Sequence, residues 1–136
     1  MKYKQLRVDG DYDIIMESEG RIQQKIIFWF RNNYCTKLNN PQCAIFSVPN
    51  EGKNAKEQAA KIATGLMSGV SDLVVMLPSR VLFVEVKDAK GRQKPKQKDF
   101  ENIATGLGFE YHIVRSLEDF QKIIENKLIE LGMYKK

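Results

Sequence analysis

Gly69-Val70-Ser71-Asp72-Leu73-Val74-Val75-Met76-Leu77, Pro78-Ser79-Arg80 and Val81-Leu82-Phe83-Val84-Glu85-Val86-Lys87 follow one another without interruption. Two apolar, β-branched runs flanking a proline-containing turn predict a β-hairpin. Runs buried on both faces should be apolar throughout. These carry three charges: Asp72 opens the first run, and Glu85 and Lys87 close the second. Residues i and i+2 of a strand share a face and stand about 6.6–6.8 Å apart. Glu85 and Lys87 are therefore expected to point one way and Val86 the other. A hairpin folds back on itself, so Asp72 is predicted to stand beside Glu85. Two carboxylates about 4 Å apart repel by roughly 4 kcal/mol at an effective dielectric of 20. A cation or a shared proton must offset that repulsion. A hard divalent ion, which takes carboxylate oxygens, is the simplest candidate.

Asp72, twelve residues, then Glu85-Val86-Lys87 resembles the D…ExK signature of the PD-(D/E)xK nuclease superfamily. The flanks narrow the resemblance. Val48-Pro49-Asn50-Glu51-Gly52, Gly69-Val70-Ser71-Asp72-Leu73, Phe83-Val84-Glu85-Val86-Lys87, Gly91-Arg92 and Gln97 look, in that order, like the VRR-NUC domain (virus-type replication-repair nuclease). The similarity spans roughly residues 17–120. D…ExK alone occurs often by chance; the ordered set of blocks is far more specific. One departure is Ser71, which stands where the superfamily has its name-giving proline. That position shapes a turn and carries no chemistry.

The chain has 136 residues, enough for one domain with a proper core. A hydrophobic content of 43% and a charged content of 29% are ordinary for a globular protein. The net charge of +5 favours a polyanionic partner, nucleic acid before membrane, although a modest excess also serves solubility. Cys35 and Cys43 are too few for a disulfide framework and follow no secretory signal, so reduced thiols in a cytoplasmic protein are expected. No apolar run approaches the ~20 residues of a membrane span. A single histidine, His112, all but excludes His-rich metal sites and Ser-His or Cys-His catalysis. The chemistry must run on carboxylates, lysines and amides.

Residues 1–13 read as an arm without clear periodicity. From Met16 to Tyr34 the pattern is helical, with Ile22, Ile26, Trp29 and Phe30 on one face. Glu19 and Gln23 fall on that stripe, so Glu19 is expected to point inward at the helix start. A carboxylate is equally welcome there because of the helix dipole. The resemblance favours a site role, since VRR-NUC domains carry an acidic residue in this helix followed by an apolar-Gln pair, matched by Ile22-Gln23. Residues 43–48 form a short strand, and Pro49 to Lys53 a loop. Asn54, with Glu57 at the capping-box position, starts a helix to about Leu66, with Ala59, Ile62, Ala63 and Leu66 inward. Pro95 opens the next helix, whose inward stripe is Phe100, Ile103, Ala104 and Leu107. Gln97 lies one turn earlier on that stripe, near Glu85 and Lys87. Glu110 to Val114 is the last strand. Ser116 and Asp119 cap the final helix, with Leu117, Phe120, Ile124, Leu128 and Leu131 inward. Trp29 and the phenylalanines are expected in the core, His112 is a strand histidine, and both cysteines are inert. The order α-β-α-β-β-α-β-α predicts an α/β/α sandwich with a mixed central sheet, the restriction-endonuclease-like core that the resemblance implies for residues 1–136.

The expected reaction is metal-dependent hydrolysis of a phosphodiester. Asp72 and Glu85 would hold Mg2+ or Mn2+ with the Val86 carbonyl, since an oxygen-only set argues against zinc. Lys87 would position the attacking water or stabilise developing charge. Glu19 would bind the metal through water or serve a second ion. Gln97, by resemblance the helix glutamine following the ExK strand, would orient the water or the phosphate. A buried ion pair of Lys87 with Glu85 or Asp72 is the competing explanation, but two acids and one base leave a net negative pocket. Lys90, Arg92, Lys94 and Lys96, just past Lys87, would contact phosphates without reading sequence, although most lysine runs are merely solvated. Lys53, Lys56, Lys61 and Asn50 extend that set more weakly. Stand-alone VRR-NUC domains look like structure-selective endonucleases of phage and bacteria and resemble homodimeric Holliday-junction resolvases. Branched DNA is therefore the expected substrate. The alternatives are a flap or end-processing nuclease, an inactive nucleic-acid-binding module, or a protein-binding scaffold.

Overall fold

A computed structural model of the chain describes residues 17–49 and 53–133. The predicted arm at residues 1–13 and Asn50 lie outside the described residues. The elements are α1 (Glu19–Tyr34), β1 (Ala44–Ser47), α2 (Ala55–Ala63), β2 (Leu73–Leu77), β3 (Arg80–Val86), α3 (Pro95–Gly106), β4 (Glu110–Val114) and α4 (Leu117–Glu130).

The hairpin closes as its sequence requires. Leu77 pairs with Arg80, Leu73 with Val84, and Ser79 takes a positive φ of 60° in the turn. β1 adds to β2 antiparallel, placing Ser47 opposite Leu73. β4 joins the other side of β3 in parallel, with Val86 opposite Val114. That parallel connection needs a crossover, which α3 supplies. The result is a four-stranded mixed sheet ordered β1-β2-β3-β4.

Alternation along the strands sets the two faces. Leu73, Val75, Leu77, Leu82, Val84 and Val86 join Ile22, Ile26 and Phe30 of α1 and Phe120, Ile124 and Leu128 of α4 in one buried cluster. Phe120 stands edge-on to both Phe30 and Trp29. Ser18 caps α1 by accepting from the Arg21 amide, and Ser116 caps α4 by accepting from Asp119. The helix expected from Met16 therefore starts at Glu19 among the described residues. The opposite sheet face carries Phe83, which meets the edge of Phe100 from α3.

Three packing expectations fail. None of the α2 residues is buried, and among the described residues no other helix or strand packs closely on α2. Half of its expected inward stripe, Ala59 and Ala63, is alanine, which offers little area to bury. The Asn54 cap forms as predicted, but the helix stops early in a Schellman turn, with Leu66 N–H donating to Lys61 O and Gly65 N–H to Ile62 O. Leu66 thus falls out of helical phase, and Ile62 is exposed. On α3 only Phe100 and Ala104 are buried, while Ile103 and Leu107 are exposed. Of these side chains it is Phe100 that meets the sheet, through the rings of Phe83 and Tyr111. Phe28, Phe46 and Phe109 are exposed as well. The second helical layer covers the β3–β4 half of the sheet and leaves Phe46 and Met76, over β1 and β2, open. The fold is the expected α/β/α arrangement with one thin side. Among the described residues no helix is long and apolar enough to cross a membrane.

Candidate active site

Asp72 precedes β2 and Glu85 stands near the end of β3, on the sheet face that carries α3. The register that pairs Leu73 with Val84 puts Asp72 level with Glu85. Asp72 is tied at both ends: its carbonyl accepts from Val48 N–H, and its Oδ2 accepts from Val86 N–H at 2.8 Å. Ser71, fully buried, donates its hydroxyl to Leu73 O and shapes the turn just before the acid.

Glu85 is only 1% exposed and Lys87 only 4%. Both side chains leave the strand on the same side, and Lys87 Nζ stands 3.7 Å from Glu85 Oε2. Val86 points into the core, as its place between them predicts. Gln97 reaches down from α3. Its Nε2 donates to Glu85 Oε2 at 2.7 Å, while its Oε1 accepts from Lys94 N–H at 2.8 Å. Both ends of that amide are thereby fixed.

The other oxygen of Glu85 is different. Among the described residues Oε1 is buried and has no hydrogen-bond donor. The Asp72 carboxylate lies close enough to share a proton with Glu85, but when ionised it offers only acceptors. Burial first, and the Asp72 charge second, push the Glu85 carboxyl up to about 8. Lys87 opposes this without cancelling it. Buried polar groups in native proteins are nearly always satisfied, so an orphaned acceptor calls for an explanation.

The donor set is one that a hard divalent ion takes. The oxygens of Asp72 and Glu85 are hard ligands, and the sole histidine, His112, is engaged with Glu110 on β4. Among the described residues no group of three or more His, Cys, Asp and Glu converges. Mg2+ accepts such a site, because it binds one or two carboxylates and keeps several waters. The residues fit the ion.

Glu19 is exposed, contrary to the expectation that it points inward. It sits one turn before Ile22, at the first residue of α1. It still approaches the pocket: its charge is felt by Glu85, and a Cβ placed on Gly91 would lie 3.1 Å from Glu19 Oε2. Lys90, Arg92, Lys94 and Lys96 are all exposed along the segment that leaves Lys87 and enters α3. Gln93 anchors that segment, donating to Glu101 Oε1 and Tyr111 OH. Lys53 and Lys56 are exposed, and Lys61 is bridged to Glu57 at 3.6 Å. Cys35 and Cys43 are free thiols with raised pKa, burial being the main cause.

Two further residues shape this site. Gly69 has φ +87°, and a Cβ there would stand 2.2 Å from Lys96 O and 2.9 Å from Gln97 N. The turn before β2 thus presses directly on the first turn of α3 and sets the height of Gln97 over Glu85. Gly69→Ala is expected to cost about 3 kcal/mol, from left-handed backbone strain plus overpacking; urea unfolding measures it, and a loss under about 0.5 kcal/mol would contradict the close approach. Arg115, directly after β4, donates from Nη1 to the carbonyls of Asp88 and Gly91. Gly69, which with Gly65 ends the preceding helix, was a legible turn signal; a lone arginine before a helix cap carries none.

No family model and no curated protein matches the chain. Among solved structures, it is similar to a VRR_NUC domain protein, with a TM-score of 0.66 at 16% identity over 84% of this chain and 90% of that one. A second structure, a VRR_NUC domain, gives a TM-score of 0.55 at 24% identity over 80% of this chain and 97% of that one. The fold is that of the VRR_NUC domains.

Proposed function

We propose that this chain, with the fold of the VRR_NUC domains, is a divalent-metal-dependent DNA nuclease that hydrolyses phosphodiester bonds. The observation that carries the proposal is the orphaned, buried Glu85 Oε1 beside the Asp72 carboxylate. An apolar isostere or a neutral amide would fold more easily there. The pair is tolerable when a cation shares it.

Asp72 and Glu85, with the Val86 carbonyl, would hold Mg2+ or Mn2+. Such an ion, when bound, supplies neutralisation of phosphate charge and a lowered pKa for water in the site. Asp72 keeps Oδ2 on Val86 N–H, which would leave Oδ1 to the ion. Lys87, held near Glu85 Oε2, brings an ammonium to the developing charge or to the attacking water. Gln97 fixes the Glu85 carboxylate and lies between that acid and the basic segment. Glu19 stands at the pocket's outer edge and would act through water. Lys90, Arg92, Lys94 and Lys96, with Lys53, Lys61 and Asn50 as weaker members, would hold phosphates and position the duplex. Branched DNA is the proposed substrate, cut by a homodimer that offers one site to each of two opposed strands.

The test is cleavage of labelled junction, flap and linear duplex DNA by the purified protein with Mg2+ or Mn2+. Preferential junction cutting supports the whole proposal, and flap cutting moves the substrate. Tight binding without cleavage under any divalent ion would replace the nuclease by a binding module. Light scattering checks the dimer. Within this scheme Lys87→Ala is expected to lower the cleavage rate by about 10²–10³-fold, the usual cost of one preorganised electrostatic contact. DNA affinity should stay within a few fold. Full activity in Lys87→Ala would remove its assigned role.

A further inference from the structure

The segment that leaves Lys87 turns sharply before the basic run. Asp88 Oδ1 accepts from Lys90 N–H at 3.0 Å and from Gly91 N–H at 2.6 Å. The turn is closed from outside by one side chain. Arg115 Nη1 donates to Asp88 O and to Gly91 O, both at 2.7 Å. Its first and last carbonyls are therefore held by a single nitrogen. Arg115 is itself anchored, because its backbone N–H donates to Asp119 Oδ2 in the capped first turn of α4. Lys87 N–H donates to Val114 O, so the ends of β3 and β4 are joined just beneath.

What the turn touches matters more than the turn. A Cβ on Gly91 would fall 3.4 Å from Lys87 Cδ, 3.1 Å from Glu19 Oε2 and 3.1 Å from Asp88 Oδ1. Gly91 thus lies against the stem of the buried lysine and against the acid from α1. The turn is the wall that confines Lys87, and nothing in the strand itself sets that wall in place. We infer that Arg115 is a positioning residue for the nuclease site: by clamping the Asp88–Gly91 turn it holds the Lys87 ammonium beside Glu85 and sets where the basic segment begins. This inference rests on the nuclease function proposed above. Arg115 acts through the turn and need not touch DNA.

A guanidinium is suited to this task. It presents donors in a rigid plane and is always charged, whereas a lysine offers a single mobile ammonium. Removing the clamp should loosen Lys87 without emptying the core, since Arg115 is exposed. A misplacement of about 1 Å can cost on the order of 100-fold in rate.

The experiment compares wild type, Arg115→Ala and Arg115→Lys in two measurements, steady-state DNA cleavage with Mn2+ and amide hydrogen exchange. For Arg115→Ala the clamp predicts kcat lower by about 10- to 100-fold, KM for DNA within about twofold, and much faster exchange of the Lys90 and Gly91 amides. Arg115→Lys should recover part of kcat. An unchanged kcat overturns the inference. A raised KM with unchanged kcat and a shallower salt dependence also overturns it, and makes Arg115 a phosphate contact. Slower cleavage accompanied by faster exchange across the whole core would mean general destabilisation and overturns it too. If the wild type cleaves no DNA, the nuclease proposal is what fails. Exchange at Lys90 and Gly91 then decides the clamp alone, and unchanged protection there refutes it.

Discussion

Asp72→Asn is expected to lower DNA cleavage by at least about 10²–10³-fold while leaving DNA affinity within a few fold. The substitution is nearly isosteric. The amide oxygen can still accept from Val86 N–H, the bond that Asp72 Oδ2 makes at 2.8 Å. The amide nitrogen can donate toward Glu85, which relieves the repulsion between the acids. The fold should therefore survive. Under the proposal, what disappears is one of the two acids that would hold the metal, and with it the affinity for the ion. The proposed phosphate contacts are elsewhere, on the exposed Lys90, Arg92, Lys94 and Lys96, so binding should persist. Gel-shift and cleavage assays on the same preparation separate the two effects. Retained cleavage would show that Asp72 does not hold the ion.

Glu85→Gln should produce the other large effect, and its sign is opposite for stability and for activity. The Glu85 carboxyl is pushed up to about 8, by burial first and by Asp72 second. Its ordinary value is 4.5. Between those limits the native protein keeps a proton that the unfolded chain has released. Without metal, the Glu85 contribution to wild-type stability should therefore be highest below about pH 4.5, fall as pH rises, and level off above about 8. The penalty is on the order of a few kcal/mol, at 1.36 kcal/mol per pKa unit. In Glu85→Gln that contribution should vanish, so the wild-type minus variant difference carries it, since the neutral amide can accept from Gln97 and donate toward Asp72. Adding Mn2+ at pH 8 should stabilise the wild type, by about 2.7 kcal/mol at a hundredfold excess over Kd, and should do little for the variant. The variant should be inactive. Urea unfolding across pH, with and without Mn2+, reads all of this. A pH-independent difference between wild type and Glu85→Gln would mean that Glu85 is not strained.

The hairpin, its register and the inward and outward residues of both strands were legible because period-two alternation leaves little choice once one face is buried. So were the caps Ser116 and Asn54 and the Pro95 helix start. Asp72, Glu85, Lys87 and Gln97 come together as their spacing requires: i and i+2 on one strand, a fold-back, and a helix glutamine one turn before a buried phenylalanine. The failures also have a common cause. Ile62, Ile103 and Leu107 lie on helical stripes, and a stripe says which residues share a face, not whether a partner covers it. Glu19, exposed at the first residue of α1, follows the same rule. Gly69 against Lys96, and Arg115 across the Asp88–Gly91 turn, arise from elements far apart in sequence. No local pattern encodes such contacts.

Crystals of the protein grown with Mn2+ and measured at a wavelength where manganese scatters anomalously put the central claim to its most direct test. An anomalous peak touching oxygens of both Asp72 and Glu85, with Lys87 and Gln97 at its border, is the predicted result. A pocket without manganese, in which the two acids share a proton at a concentration of ion that supports cleavage, would contradict it.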